Sequence, residues 1–196
     1  MIKCNKTGSE VIGVIEIVNV NEDWAIGKRG QLLIHIPADM RFFRETTAGK
    51  VCIMGSTTLE SFPRMSPLRN RVNIVLIDDE KKIRLESLQG LEADRAAGYR
   101  TELRYVHSLD EALAAAAPYP KDDVFVIGGA SVYRLMLPYC DTCLVTHNDY
   151  PSDGADTYFP DLVASGEWRM TDAGVPQSYE GTTFRFCRYE RVGGGA

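Results

Sequence analysis

Histidine and cysteine are scarce in this chain: three and five among 196 residues. His35, His107 and His147 stand far apart without ligand spacing, so no metal site is expected from them. Cys4, Cys52, Cys140, Cys143 and Cys187 form no framework, which excludes a disulfide scaffold and reads as free thiols of a reducing compartment. Cys140-Asp-Thr-Cys143 has CxxC spacing, but with no second ligand pair it reads as two small apolar side chains near a strand start. No run approaches the roughly 18 apolar residues of a membrane span. The N-terminus, MIKCNKTGSEVIGV, lacks a signal-peptide core, and the expectation is a cytoplasmic protein. Positive charge is in deficit, with 22 Lys and Arg against 27 Asp and Glu, net −5. That argues against a nucleic-acid-binding surface, and it means that an anionic ligand must be held by local groups. GxSxG and GxGxxG are both missing, so neither a serine hydrolase nor the usual dinucleotide fold has motif support.

What is present has the proportions of a globular chain, 44% hydrophobic and 25% charged, at the length of one ordinary domain. The expected organisation is a single domain over 1–196, with 1–10 as an N-terminal extension and 193–196 as a loose tail. Val11 to Val20 is a nearly continuous β-branched run, the pattern of a strand buried on both faces. An irregular loop follows, and Pro37 opens a short helix to about Thr47 with Met40 and Phe43 on its apolar face and Gly49 as a stop. Val51 to Met54 is a brief strand, Gly55 opens a second helix, and Arg71 to Ile77 is a further strand. The polar stretch 78–105 carries little signal beyond a strand at Leu103 to Val106. Ser108 caps a helix to Ala117; Asp123 to Ile127 then runs through Gly128-Gly129 into another helix, and Thr142 to His147 is a strand. Trp168 to Thr171 and Thr182 to Glu190 alternate as antiparallel strands do. The fold class is α/β, with a largely parallel sheet and an antiparallel C-terminal edge.

Ligands of such sheets sit outside the carboxyl ends of the strands. Three junctions qualify. Asp39 lies in the first turn of its helix after the apolar Leu32, Leu33 and Ile34, where a carboxylate gains most from an amidine-like ligand that pairs with both oxygens. Gly55-Ser56-Thr57-Thr58 and Gly128-Gly129-Ala130-Ser131 each join a strand to a helix start, and together they offer backbone N–H groups to a pyrophosphate.

The order Ile26-Gly27, Ile36-Pro37-Ala38-Asp39-Met40, Phe43, Thr47, Ile53-Met54-Gly55, Thr58, Phe62-Pro63, Leu68, Arg71, Ile127-Gly128-Gly129, Val132-Tyr133, Thr146, Asp156 and Phe159-Pro160 closely resembles dihydrofolate reductase, over nearly the whole chain. The resemblance implies a three-layer fold with a central, mainly parallel eight-stranded sheet, flanking helices and an antiparallel C-terminal edge. It implies reduction of dihydrofolate to tetrahydrofolate by NADPH, with NADH as a possible substitute. Carried over, Asp39 is the catalytic acid and binds the pterin's 2-amino group and adjoining ring nitrogen, with Thr146 supporting it. Phe43 packs on the rings, Arg71 pairs with the glutamate carboxylate, Leu32 stands at the loop tip, and Ile17, Val18 and Ile127 line the pocket. The cofactor set is Asn19, Ile26, Gly27, Gly55, Ser56, Thr57, Thr58, Ile77, Asp78, Gly128, Gly129, Ala130, Ser131, Val132 and Tyr133. The expected partners are dihydrofolate and antifolate-type small molecules, with no nucleic acid and no membrane, for a monomer.

The chain departs from the family in two places. Its Leu33-Ile34-His35 lacks the Trp that commonly precedes the Pro-x-Asp run, and the expected 2′-phosphate side reads Ser56, Ile77-Asp78-Asp79-Glu80 and Ser131 without a base, although Lys81 and Lys82 follow. Two alternatives share parts of the pattern. A pyrimidine reductase of riboflavin synthesis has the Gly-Gly junction but normally lacks the acid-bearing helix. A non-catalytic pterin or nucleotide-binding module would keep the pocket without turnover.

Overall fold

The computed structural model describes residues 13–78 and 85–193. The 1–10 extension, the start of the Val11 run, Asp79 to Lys82 and the end of the 193–196 tail lie outside the described residues. Strand β1 (Val14–Asn21) is followed by a small hairpin, β2 (Ala25–Lys28) and β3 (Gln31–Leu32), in the stretch read from sequence as a loop. Then come α1 (Pro37–Thr46), β4 (Val51–Gly55), α2 (Ser56–Ser61), β5 (Val72–Leu76), α3 (Leu85–Ala96), β6 (Glu102–Val106) and α4 (Leu109–Ala116). The chain closes with β7 (Val124–Val126), α5 (Ala130–Met136), β8 (Cys140–Asn148), β9 (Thr157–Tyr158), α6 (Leu162–Ser165), β10 (Trp168–Asp172), β11 (Gln177–Tyr179) and β12 (Thr182–Arg191). The caps follow from composition. Pro37 sits at the start of α1, Ser108 Oγ accepts from Glu111 N at α4, and Asp161 accepts from Val163 N and Ala164 N at α6.

The main sheet runs β10-β12-β8-β1-β7-β4-β5-β6, with β11 as a ninth strand paired to β12. From β8 to β6 every pairing is parallel, and β12 joins β8 antiparallel, so the parallel core and closing edge meet at β8. Period-two alternation sends Val51 and Ile53 of β4 into one apolar cluster with α4 and α5, and Cys52 and Met54 into another with α1 and α2. The helices thus cover both faces, as a parallel sheet requires.

Helix α1 corrects one expectation. Met40 is 41% exposed, and the inward side carries Asp39, Phe42, Phe43 and Thr46 instead. Those positions are three, four and seven apart, so they share a face, while Met40 is turned about 100° from Asp39. The four described cysteines are buried free thiols. No described helix is long and apolar enough to cross a membrane.

Candidate active site

The carboxylate of Asp39 is held at the carboxyl end of the central strands. It is 8% exposed. Its Oδ1 accepts from Thr146 Oγ1 of β8 at 2.6 Å, and its Oδ2 accepts from Asn19 Nδ2 of β1 at 2.9 Å. Burial pushes the carboxyl above its ordinary range, and the two hydrogen bonds and the nearby His35 pull it back. Strand pairing explains why these groups meet: Asn19 stands opposite Thr146 in the β1–β8 register, and α1 lays its first turn over both. A carboxylate has about four lone-pair sites. The two bonds leave one on each oxygen for a ligand with two parallel N–H groups.

The floor beside the acid is apolar. Ile17, Met54, Leu59, Phe125 and Ile127 are buried in one cluster, with Phe42, Phe43, Phe62 and Leu68 packed against it. The Ile17 carbonyl accepts from the buried Tyr133 hydroxyl at 2.7 Å. Val18 faces the opposite cluster, so from this position only its backbone is directed along the site.

At the far end of α1 lies Arg71, 8% exposed. Its Nε donates to Thr47 Oγ1 at 2.9 Å, Nη1 to the Arg69 carbonyl at 2.7 Å and Nη2 to the Arg44 carbonyl at 2.7 Å. One N–H on each Nη remains, the fork that a carboxylate fits. Among the described residues no carboxylate pairs with this guanidinium, and burial, with Arg44 close by, lowers its pKa. Buried charge without a counter-ion is costly. An incoming anion removes that cost.

The two glycine junctions converge. α2 and α5 start at the ends of neighbouring strands β4 and β7, and neither N-terminus has a side-chain cap hydrogen bond. Gly55 N donates to the Gly128 carbonyl at 2.8 Å, which ties the junctions together. Gly128 has φ +97, and a Cβ there would stand 2.6 Å from the Tyr133 ring, so only glycine fits. Thr57 and Ser131 are exposed, Thr58 and Ala130 half-buried, and Ser56, Val132 and Tyr133 buried. At the end of β5, Ile77 is buried and Asp78 exposed.

Over this end lies the β2–β3 hairpin. The turn of this hairpin is Arg29-Gly30, so Leu32 is not at the tip as expected from sequence but ends β3 opposite Gly27, 44% exposed, with Ile26 buried. The hairpin is anchored by Asp156, whose Oδ2 accepts from Arg29 N at 2.8 Å and whose N donates to the Gly27 carbonyl at 3.2 Å. Ala25, Ile26, Leu32, Leu33 and Ile34 form the apolar wall of a narrow cleft, with Asn19 and Asn148 as its polar wall.

The structure therefore brings Asp39, Thr146, Ile17, Ile127, Phe43 and the two glycine junctions to one end of the sheet. Asn19, expected near the cofactor, is bonded to the acid. Asn148 was not singled out from sequence, although it ends the strand that carries Thr146; its link to Asn19 spans 129 positions, beyond any local pattern.

Comparison with known proteins agrees with this arrangement. The family model described as Dihydrofolate reductase matches residues 13–191. A dihydrofolate reductase of Mycobacterium tuberculosis is 34% identical over 158 residues, 76% of this chain and 84% of the relative. One from Haloferax volcanii is 30% identical over 190 residues, 94% of this chain and 86% of the relative. The solved dihydrofolate reductase from Enterococcus faecalis complexed with NADP(H) and RAB-propyl has a TM-score of 0.72 and 29% identity, covering 91% of this chain and 96% of that one.

Proposed function

The chain belongs to the dihydrofolate reductase family, and from that premise we propose how its own residues support the reduction of dihydrofolate to tetrahydrofolate with NADPH. The observation that carries the reading is the buried Asp39 carboxylate, held by Thr146 and Asn19 with one acceptor site left on each oxygen. Those sites match the 2-amino group and adjoining ring N–H of a pterin. Phe43 and the apolar floor take the ring faces, the carbonyls of Ile17 and Ile127 face the opposite edge, and Arg71 takes the glutamate carboxylate.

The residues fit a dinucleotide phosphate. Two uncapped helix starts, tied through Gly55 and Gly128, supply backbone N–H groups where the net charge supplies none. The set from Gly55 to Thr58 and from Gly128 to Tyr133 would hold it, with Ile26 and Gly27 under the hairpin and Ile77 and Asp78 at the outer end. The bound cofactor supplies the hydride. The protein's part is electrostatic and steric. The Asp39 carboxylate favours a proton on the ring nitrogen next to the reduced carbon, and the hairpin anchored by Asp156 keeps bulk water from the reacting face. The reading extends to a cytoplasmic monomer of one domain that also binds antifolate-type molecules.

The direct test is the absorbance decay of NADPH with dihydrofolate. Turnover is expected, and none would overturn the reading. Arg71→Met is expected to raise KM for dihydrofolate by about 10–100-fold, the value of a charge-assisted pair, with little change in kcat. Steady-state kinetics with dihydrofolate and with a substrate lacking the glutamate checks this, since only the first should suffer.

Cofactor preference gives a second measurable outcome. Ser56, Ile77, Asp78 and Ser131 offer no cation to a 2′-phosphate. The preference for NADPH over NADH is expected to be about tenfold or more below that of relatives with an Arg after the Met-Gly pair. Comparing kcat/KM for both cofactors decides it; an undiminished preference would refute the expectation.

A further inference from the structure

Asn19 is one of three polar side chains on β1, with Glu16 and Asn21, and is half-buried between the buried Val18 and Val20. Which end of its amide faces Asp39 is fixed from outside. The backbone N–H of Tyr150, which can only donate, reaches Asn148 Oδ1 at 2.9 Å. The Asn148 Nδ2 must then face the Val20 carbonyl, which can only accept, at 2.8 Å, and Asn19 Oδ1 at 2.7 Å. That leaves Asn19 Nδ2 to donate to Asp39 Oδ2 at 2.9 Å. The chain of bonds is set at the Asn148 end by two backbone groups and closes at the other end on the Asp39 carboxylate, so neither amide can flip without losing a partner.

We propose that Asn19 is a positioning residue for Asp39 and that Asn148 sets its orientation: the relay fixes the carboxylate plane and reserves the Oδ2 lone pair that Asn19 faces for an N–H donor. This deepens the reading of Asp39 as the substrate-binding acid and rests on it. Thr146 holds Oδ1 and Asn19 holds Oδ2, so the carboxylate cannot rotate to meet a one-donor ligand with both oxygens. Because Asn19 presents only hydrogens here, it also favours the ionised acid and opposes the effect of burial. The other titratable groups near Asp39 are His35, on the loop leading into α1, and Tyr133 of α5, whose hydroxyl is committed to Ile17. Leu33 and Ile34 make the loop side of the same cleft apolar, so the relay gives the acid a polar support built from the sheet instead of from the loop.

The test uses the full chain with carbon-13-labelled aspartate carboxyls, the Asp39 resonance being identified by its loss in Asp39→Asn. In the ligand-free protein, Asn19→Ala is expected to move the titration midpoint of Asp39 upward by about one pH unit. The pH profile of single-turnover hydride transfer should move with it. Asn148→Ala should move the midpoint the same way by less, and the double variant no further than Asn19→Ala alone, because Asn148 acts only through Asn19. A midpoint unchanged in Asn19→Ala, or additive shifts in the double variant, would overturn the proposal. The carboxyl titration needs no turnover, so a failure of dihydrofolate reduction and a failure of the relay are read separately.

Discussion

Asp39→Asn is expected to lower kcat/KM for dihydrofolate by about 10²–10⁴-fold at neutral pH, the usual range for loss of a group that assists proton transfer. Both carboxylate oxygens already accept a protein hydrogen bond, from Thr146 and from Asn19. An amide at this position has one acceptor and one donor end. Turned toward Asn19, its NH₂ meets another amide donor; turned toward Thr146, it bonds only if that hydroxyl gives up its own donation and accepts instead. The same NH₂ faces one of the two ligand N–H groups, so the loss falls on binding as well as on the chemical step. The negative field that favours a proton on the pterin ring is also gone. In the variant that proton must come from bulk acid, so the rate should climb by about a decade per pH unit as pH falls, and the deficit should shrink. Single-turnover hydride transfer followed by stopped flow across pH measures this directly. Equal rates for the two proteins at neutral pH would show that Asp39 is not the acid.

The second large effect concerns stability. Glu16 lies within β1 with 0% exposure, and among the described residues no N–H or O–H group donates to either carboxyl oxygen; the weak thiol of Cys140 beside it is turned to the Met136 carbonyl. Its surroundings are Cys140, Cys143 and Tyr133, with Arg191 acting from a distance. That arginine is already committed to the carbonyls of Cys140 and Leu137 and to Glu167. Burial pushes the Glu16 carboxyl well above its ordinary range, which keeps it neutral in the folded chain. The unfolded chain releases the proton from the ordinary glutamate range upward, while the folded chain retains it. The unfolded state therefore binds fewer protons, and stability falls by about 1.4 kcal/mol per pH unit from that range up to the raised folded value. Below the ordinary range both states are protonated and the loss vanishes. Glu16→Leu is expected to raise Tm, with a gain that widens as pH rises, plus about 1–3 kcal/mol at every pH from removing an unsatisfied polar group. Glu16→Gln keeps the unsatisfied group but abolishes the pH-dependent part. Thermal melts of the three proteins between acid and neutral pH separate the two contributions. A constant gap between wild type and Glu16→Leu would mean that the carboxylate is charged in the folded chain.

Much of this architecture is visible in the chain of letters. The β-branched runs at Val14, Val51, Val72 and Val124 mark parallel strands because burial on both faces removes polar alternation, and Pro37 marks the start of α1. Asp39 is legible for a local reason: a carboxylate in a first turn after an apolar loop has few partners near it in sequence. Glu16 had a signal too, as the single charged residue in a run read as buried on both faces, and was passed over. The β2–β3 hairpin has no alternation long enough to register, and β9, which pairs with it, is two residues long. α3 hides in a polar stretch because its buried side is only Ser87, Leu91 and Asp94. The donors to Asp39 escape local reading altogether. Periodicity tells that Asn19 and Thr146 leave their strands on a given side, but only the β1–β8 register tells that they leave it together.

That register has a consequence for synthesis. The contact between Thr146 and Asp39 spans 107 positions, and β8 is the strand where parallel core and antiparallel edge meet. While a ribosome is still making the chain, β4 and β5 can pair and α1 and α2 can fold over them, but β1 has neither β7 nor β8 beside it until Val124 and Cys140 onward have been made. A nascent chain short of β8 has the acid and Asn19 but lacks the Thr146 hydroxyl, the Asn148 amide that orients Asn19, and the strand that brings them into register. Small molecules that bind through Asp39 accordingly find no target on the growing polypeptide. They can stabilise only chains from which β8 has emerged, so any protection they give against proteolysis in the cell begins once Asn148 has been made.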